Sequence, residues 1–113
     1  MHEMSLAENV REIIEDTARA QGFTRVMGVR LEIGRLSSVE PEAMRFCFDA
    51  AMAGSLAEGA RLEIVETPGQ GRCGTCGRDM PIESLYEACP HCGDYRISVT
   101  GGDAMRIMDL EVE

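Results

Sequence analysis

Near the start of the chain the apolar positions recur at spacings of three and four. Leu6, Val10, Ile13, Ile14 and Ala18 make one stripe, with Glu8, Arg11, Glu12, Glu15 and Asp16 mostly turned outward. This is the pattern of an amphipathic helix. Ser5-Leu6-Ala7-Glu8 reads as its capping box, the Ser side chain accepting from a backbone N–H three residues on while the Glu reaches back, and Gly22 reads as its C-cap. From Arg25 to Gly34 the period falls to two. Met27, Val29, Leu31 and Ile33 lie on one face with Arg30 and Glu32 on the other, which predicts a half-buried strand. Gly34 to Ser38 turns the chain. Glu40-Pro41-Glu42 then suits the acidic, proline-tolerant first turn of a second helix, with Met44, Cys47, Phe48 and Ala51 on its inner face. That helix ends at Gly54 or at Ala57-Glu58-Gly59, and the stretches Arg61 to Glu66 and Met105 to Val112 alternate again as two further strands.

Between those last two strands lies a segment with four of the five cysteines, bordered by Pro68-Gly69-Gln70-Gly71 and by Gly101-Gly102. Such borders are typical of flexible joints. The cysteines stand as Cys73-Gly74-Thr75-Cys76-Gly77 and, after the twelve residues that follow Cys76, Cys89-Pro90-His91-Cys92-Gly93. Each C-x-x-C-G turn aims two thiolates at one centre, and the glycine permits the tight backbone behind them. Two such knuckles make one tetrahedral site, and zinc suits it better than iron. A rubredoxin-like iron centre uses similar turns, but this segment has few large apolar residues to shield an electron-transfer site. Four thiolates leave no open coordination position, so the site reads as structural. The segment is too small to fold on its own core, and metal binding should supply its folding energy. His91 reads as an exposed knuckle residue, with ligand replacement and tuning of the metal as the alternatives. Cys47 reads as a small buried hydrophobe.

The expected architecture is therefore α+β: two helices packed on a small antiparallel three-stranded sheet, with an inserted zinc-ribbon module. Residues 1–67 and 104–113 form the base and residues 68–103 the ribbon, able to swing on its joints.

Charge narrows the function classes. Twenty acids against 11 bases give a net charge of −9, which repels phosphate backbones, and an aromatic content of 4% supplies few stacking platforms. Nucleic acid is excluded as a natural partner. No apolar run approaches the ~18 to 20 residues of a membrane span, and Met1-His2-Glu3-Met4-Ser5 lacks the basic start of a signal peptide. The expected location is the cytoplasm, where clustered cysteines are metal ligands or reactive thiols rather than disulfides. No nucleophile–base pair, phosphate loop or open metal site points to an enzyme.

His2 directly follows Met1, and removal of an initiator Met is normally blocked before so large a residue, so the Met1 amine is expected to persist. Amine, ionisable backbone amide and imidazole within two residues suit a tetragonal or square-planar Ni(II) or Cu(II) centre.

Met1-His2-Glu3, the run Val29-Arg30-Leu31-Glu32-Ile33-Gly34 leading into Val39-Glu40-Pro41-Glu42-Ala43-Met44-Arg45-Phe46, Glu58-Gly59-Ala60 before the third strand, and the paired knuckles together resemble the HypA/HybF family of hydrogenase-maturation nickel chaperones. The resemblance runs over nearly the whole chain. It implies nickel on His2 with the Met1 amine and nearby backbone nitrogens, Glu3 helping to set the coordination, and zinc on Cys73, Cys76, Cys89 and Cys92. It also implies work with the GTPase HypB in loading nickel into the large subunit of [NiFe] hydrogenase, with urease served by some members. Homodimerisation stays open. One departure stands out: His91 sits between its two cysteines, whereas the histidines proposed to sense pH in certain members lie just outside theirs. The rival function is a zinc-ribbon adaptor that binds another protein and carries no second metal.

Overall fold

A computed structural model describes residues 2–113. In chain order the elements are α1 (His2–Gln21), β1 (Val26–Gly34), α2 (Pro41–Met52), β2 (Arg61–Thr67), β3 (Gly69–Cys73), β4 (Asp79–Ile82), β5 (Ile97–Gly101) and β6 (Met105–Val112). The strands form two three-stranded sheets, β2-β1-β6 and β4-β3-β5. Two compact units result. One takes the chain up to Leu31 with Val39–Val65 and Arg106–Glu113, the other Glu32–Ser38 with Glu66–Met105. Among the described residues no helix is long and apolar enough to cross a membrane.

In the first unit α1 begins at His2 rather than at the expected Ser5 cap. The reason is tertiary: Glu3 is buried, and its carboxylate accepts from the Glu40 N–H at 3.3 Å. The buried stripe is Glu3, Ala7, Val10, Ile14 and Ala18, while Ile13 is 52% exposed. At 100° per residue the line through Val10, Ile14 and Ala18 leaves Ile13 a quarter-turn away on the outer face, so including it in the inner stripe was an error of phase. Gly22 closes the helix as expected, with a positive φ of 82° and its N–H on the Ala18 carbonyl at 2.7 Å.

Helix α2 starts where the Glu-Pro-Glu run predicts. Glu40 is the N-cap, its side chain accepting from the Glu42 N–H, and Pro41 occupies the first turn. Met44, Cys47, Phe48 and Ala51 are buried as the pattern requires, joined by Met52. The far end of α2 is capped by a residue expected to face solvent: Arg11 Nη1 donates to the carbonyls of Ala51 at 3.0 Å and Ala53 at 3.2 Å. Its long stem crosses apolar surface and its guanidinium meets carbonyls that have no helical partner. Strand β6 runs antiparallel to β1, the Gly34 N–H donating to Ala104 and the Glu113 N–H to Arg25. Across the sheet Arg30 pairs with Glu63 and Asp109, and Arg61 with Glu111. Met27, grouped by alternation with the buried face, is 42% exposed.

The second unit contains three strands that the sequence pattern did not predict. β3 pairs antiparallel with β4, Gly69 facing Ile82 and Gly71 facing Met80, and with β5 on its other side, Cys73 facing Ile97. Cys73, Met80, Ile82 and Cys89 form its core, with Leu36, Ile97 and Val99 packed against them. Leu36 comes from the turn after β1, whose backbone is fastened at two points, Arg35 N–H to the Thr67 carbonyl and Leu36 N–H to the Gly102 carbonyl. A Cβ at Gly34 would collide with the Gly102 carbonyl oxygen. Close passage of two backbones, in addition to turn chemistry, therefore requires glycine there.

Candidate metal centres

The two knuckles of the second unit have the same backbone. In the first, the Cys73 N–H donates to the Arg78 carbonyl at 2.9 Å and the Gly77 N–H to the Cys73 carbonyl at 2.9 Å. In the second, the Cys89 N–H donates to the Asp94 carbonyl at 2.7 Å and the Gly93 N–H to the Cys89 carbonyl at 2.8 Å. Gly77 and Gly93 have φ values of 75° and 78°, a left-handed turn that a side chain would strain. The first cysteine of each knuckle is buried and the second exposed.

These turns bring all four sulfurs together. The Sγ atoms lie within 4.8 Å of one another, with Cys73 to Cys92 at 3.6 Å and Cys76 to Cys89 at 3.7 Å. A tetrahedron of metal–sulfur bonds of about 2.3 Å has edges of about 3.8 Å. The donor set therefore fits a four-thiolate ion such as zinc, and the spacing is far beyond a disulfide bond of about 2.05 Å.

Within the metal-free cluster the protons are held unequally. The backbone N–H of Cys76, 3.5 Å from the Cys73 sulfur, holds the Cys73 thiol down to about 6 against the opposing effect of burial. Cys92 is pushed up to about 12: the Asp94 N–H pulls its thiol downward, but burial and the hydrogen bonds with the other three cysteines outweigh it. Four thiolates cannot share so small a volume without a cation, so metal entry must release protons and strengthen as pH rises.

His91 is placed beside this cluster but engaged elsewhere, its Nδ1 lying 2.9 Å from Arg78 Nη1. Arginine only donates, so Nδ1 is the acceptor and its lone pair is occupied. Cys47 lies in the first unit, 1% exposed on the inner face of α2 and outside the four-sulfur group.

The second candidate site begins at Met1, whose amine lies outside the described residues. His2 opens α1 with its side chain 52% exposed, and its Nδ1 is 3.7 Å from Glu3 Oε2. Glu3 is 7% exposed, the one buried charged residue among those described. The Glu40 N–H, at the start of α2, and the backbone of Glu3 itself hold this carboxyl below its usual range against the effect of burial. The Glu40 backbone is the member of this neighbourhood that sequence reasoning missed. Its proximity depends on α1 lying against α2, for which local sequence carries no signal.

A sequence model described as "HypA: Hydrogenase/urease nickel incorporation, metallochaperone, hypA" matches residues 1–112. The hydrogenase maturation factor HypA of Dechloromonas aromatica (strain RCB) is 55% identical, and that of Azotobacter chroococcum mcd 1 is 56% identical, each over 113 residues and 100% of both chains. The solution structure of the Ni metallochaperone HypA from Helicobacter pylori has a similar fold, with a TM-score of 0.75 over 99% of this chain and 97% of that one at 24% identity. A second solution structure, of a HypA protein, superposes with the same TM-score of 0.75 over 100% and 97% at 25% identity. Matched along almost its whole length by the family's own model and by relatives more than half identical to it, the chain belongs to the HypA family of hydrogenase/urease nickel-incorporation metallochaperones.

Proposed function

We propose that this protein is a nickel metallochaperone for hydrogenase maturation. It takes Ni(II) as cargo at its N-terminus and keeps a structural zinc on Cys73, Cys76, Cys89 and Cys92. Family membership over residues 1–112 supports the nickel role. The observation that carries the N-terminal site is the burial of Glu3 beside the His2 imidazole. The Glu40 N–H holds this carboxylate beside the His2 imidazole, so an oxygen donor and a nitrogen donor of the kinds a nickel ion takes stand side by side. His2 Nδ1 or Nε2 and the Met1 amine supply nitrogen to the cargo, and the Glu40 N–H fixes the Glu3 carboxylate that sets its coordination.

In the second unit a zinc ion would supply only charge and a tetrahedral template. The chain's own contribution there is to hold four sulfurs at the right edge lengths with two buried and two exposed. The protein works in the cytoplasm as a carrier rather than a catalyst. It hands nickel to the large subunit of [NiFe] hydrogenase with the GTPase HypB, and urease is a further recipient.

Nickel titration of the zinc-loaded protein tests this reading. One further equivalent should bind, more weakly as the solution is acidified, because protons compete for the same nitrogen lone pairs. His2→Ala should abolish tight nickel binding, and so should an uncleaved N-terminal extension that converts the amine to an amide. Zinc content should not change in either variant. Unchanged nickel affinity after His2→Ala would move the site elsewhere, and no second equivalent at all would leave the zinc-ribbon adaptor as the better reading.

A further inference from the structure

The knuckles are also tied to each other outside the sulfurs, and the ties are reciprocal. Counted from the first cysteine of each knuckle, Thr75 and His91 hold the third place, Arg78 and Asp94 the sixth. Thr75 Oγ1 donates to Asp94 Oδ2 at 2.6 Å, and Arg78 Nη1 donates to His91 Nδ1 at 2.9 Å. The third place of each knuckle is thereby bonded to the sixth place of the other. The chemistry differs between the two ties, hydroxyl to carboxylate in one and guanidinium to imidazole in the other, while the geometry is the same. That repetition argues against a chance pair of surface contacts.

Where the ties attach gives them a consequence. Thr75 and His91 each stand immediately before the exposed cysteine of their own knuckle, Cys76 and Cys92. Arg78 and Asp94 carry the carbonyls that accept from the buried cysteines, Cys73 and Cys89. Each tie thus runs from the neighbour of an exposed sulfur to the residue whose carbonyl holds the backbone N–H of the buried cysteine in the opposite knuckle. A four-thiolate site loses its ion when one sulfur leaves first, and only Cys76 and Cys92 have open space to move into. Each tie resists movement of the backbone next to an exposed sulfur, and a knuckle that moved away from the other to release its sulfur would break a tie.

We propose that the Thr75–Asp94 and Arg78–His91 pairs are straps that set how fast the cysteine cluster gives up or exchanges its metal. The four residues are positioning residues and none is a ligand. The proposal rests on the reading that these four sulfurs hold a metal. It adds that retention is set by hydrogen bonds between the knuckles as well as by the thiolates. Both straps are near the surface, where the net worth of a hydrogen bond is modest, so cutting one should speed release about two- to fivefold. Both straps join the same two knuckles, so cutting both should speed release more than cutting either alone.

Cobalt(II) is the probe, since its visible bands report tetrahedral thiolate coordination directly. The full-length protein, Thr75→Val, Arg78→Met and the double variant are loaded with cobalt, and release to excess EDTA is timed. Thr75→Ser, which keeps the hydroxyl, is the rescue control. The expected result is an unchanged cobalt spectrum in every variant, faster release in each single variant, faster release still in the double, and a near-native rate in Thr75→Ser. Native release rates with native spectra would overturn the proposal. An altered spectrum in Thr75→Val or Arg78→Met would overturn it in another way, because the contacts would then be building the site rather than restraining its exit. The same holds if Thr75→Val took up no cobalt while Thr75→Ser did. A native chain that gave no thiolate–cobalt spectrum would remove the metal reading itself, and the straps with it.

Discussion

Between α1, α2 and their sheet, the first unit almost completely buries Val10, Ile14, Leu31, Met44, Phe48 and Met52, whereas the second closes around Cys73, Met80, Ile82 and Cys89, half of them members of the four-sulfur group. Each large apolar side chain removed from water stabilises by about 1.5–3 kcal/mol. The first unit therefore has a hydrophobic core that can hold helices without outside help. The core cluster of the second has two such side chains, Met80 and Ile82, and three half-buried helpers for its three short strands. What it lacks in apolar area the metal should supply, since apparent binding energies of structural zinc run to about 10–16 kcal/mol. A unit with an ample apolar core and a unit that would lean on a metal should respond differently to the same insult.

The largest expected effect comes from removing a ligand. Cys73→Ala or Cys89→Ala should abolish zinc retention and disorder β3, β4 and β5 while the far-ultraviolet signal of α1 and α2 persists, because only the second unit depends on the cluster. Loss of the helical signal in either variant would erase the contrast. Next comes the converse experiment on the other core. Phe48→Ala should destabilise the first unit by about 3–5 kcal/mol in urea unfolding followed at the helical band, with the amount of zinc per chain unchanged. Simultaneous loss of zinc would show that the two units do not respond separately.

The smallest effect sharpens the comparison by pH. The Glu3 carboxyl is held below its ordinary value of 4.5 by the Glu40 N–H. A folded-state value that is depressed contributes stability above the unfolded value, and that contribution disappears as pH falls through the folded one. The difference in urea midpoint between the native chain and Glu3→Gln should therefore be full near neutrality and vanish on acidification below pH 4.5. A difference that grew in acid would mean that burial, and not the hydrogen bond, dominates the state of this carboxyl.

Much of the first unit was legible along the chain. The periods of three to four and of two placed both helices and β1, β2 and β6, and Glu40-Pro41-Glu42 marked the start of α2, because capping and periodicity are local properties that each short stretch carries itself. The cysteine spacing marked the four-sulfur group for a similar reason, since each knuckle is a self-contained turn whose glycine and two thiols lie within five residues. Strands β3, β4 and β5 escaped that reading. Their residues, such as Gly69-Gln70-Gly71-Arg72-Cys73, have too little apolar alternation to stand out, and they become strands only by pairing with each other.

The remaining features are pairings between distant positions, and only the folded chain decides those. Ile13 and Arg11 had plausible places on a helical wheel, but the direction of α2 determined that one would face water and the other would cap its last carbonyls. Leu36 joined the core of the second unit from a turn far away in sequence, with no local pattern to announce it. Glu3 met the Glu40 N–H, and Thr75 and Arg78 met Asp94 and His91, because hydrogen bonds over such separations depend on where elements come to rest in space. Sequence determined both helices, strands β1, β2 and β6, the spacing that gathers four cysteines and the family to which the chain belongs. Tertiary structure decided which carboxylate is enclosed and which sulfurs are exposed, since enclosure is a property of the surroundings and not of the residue.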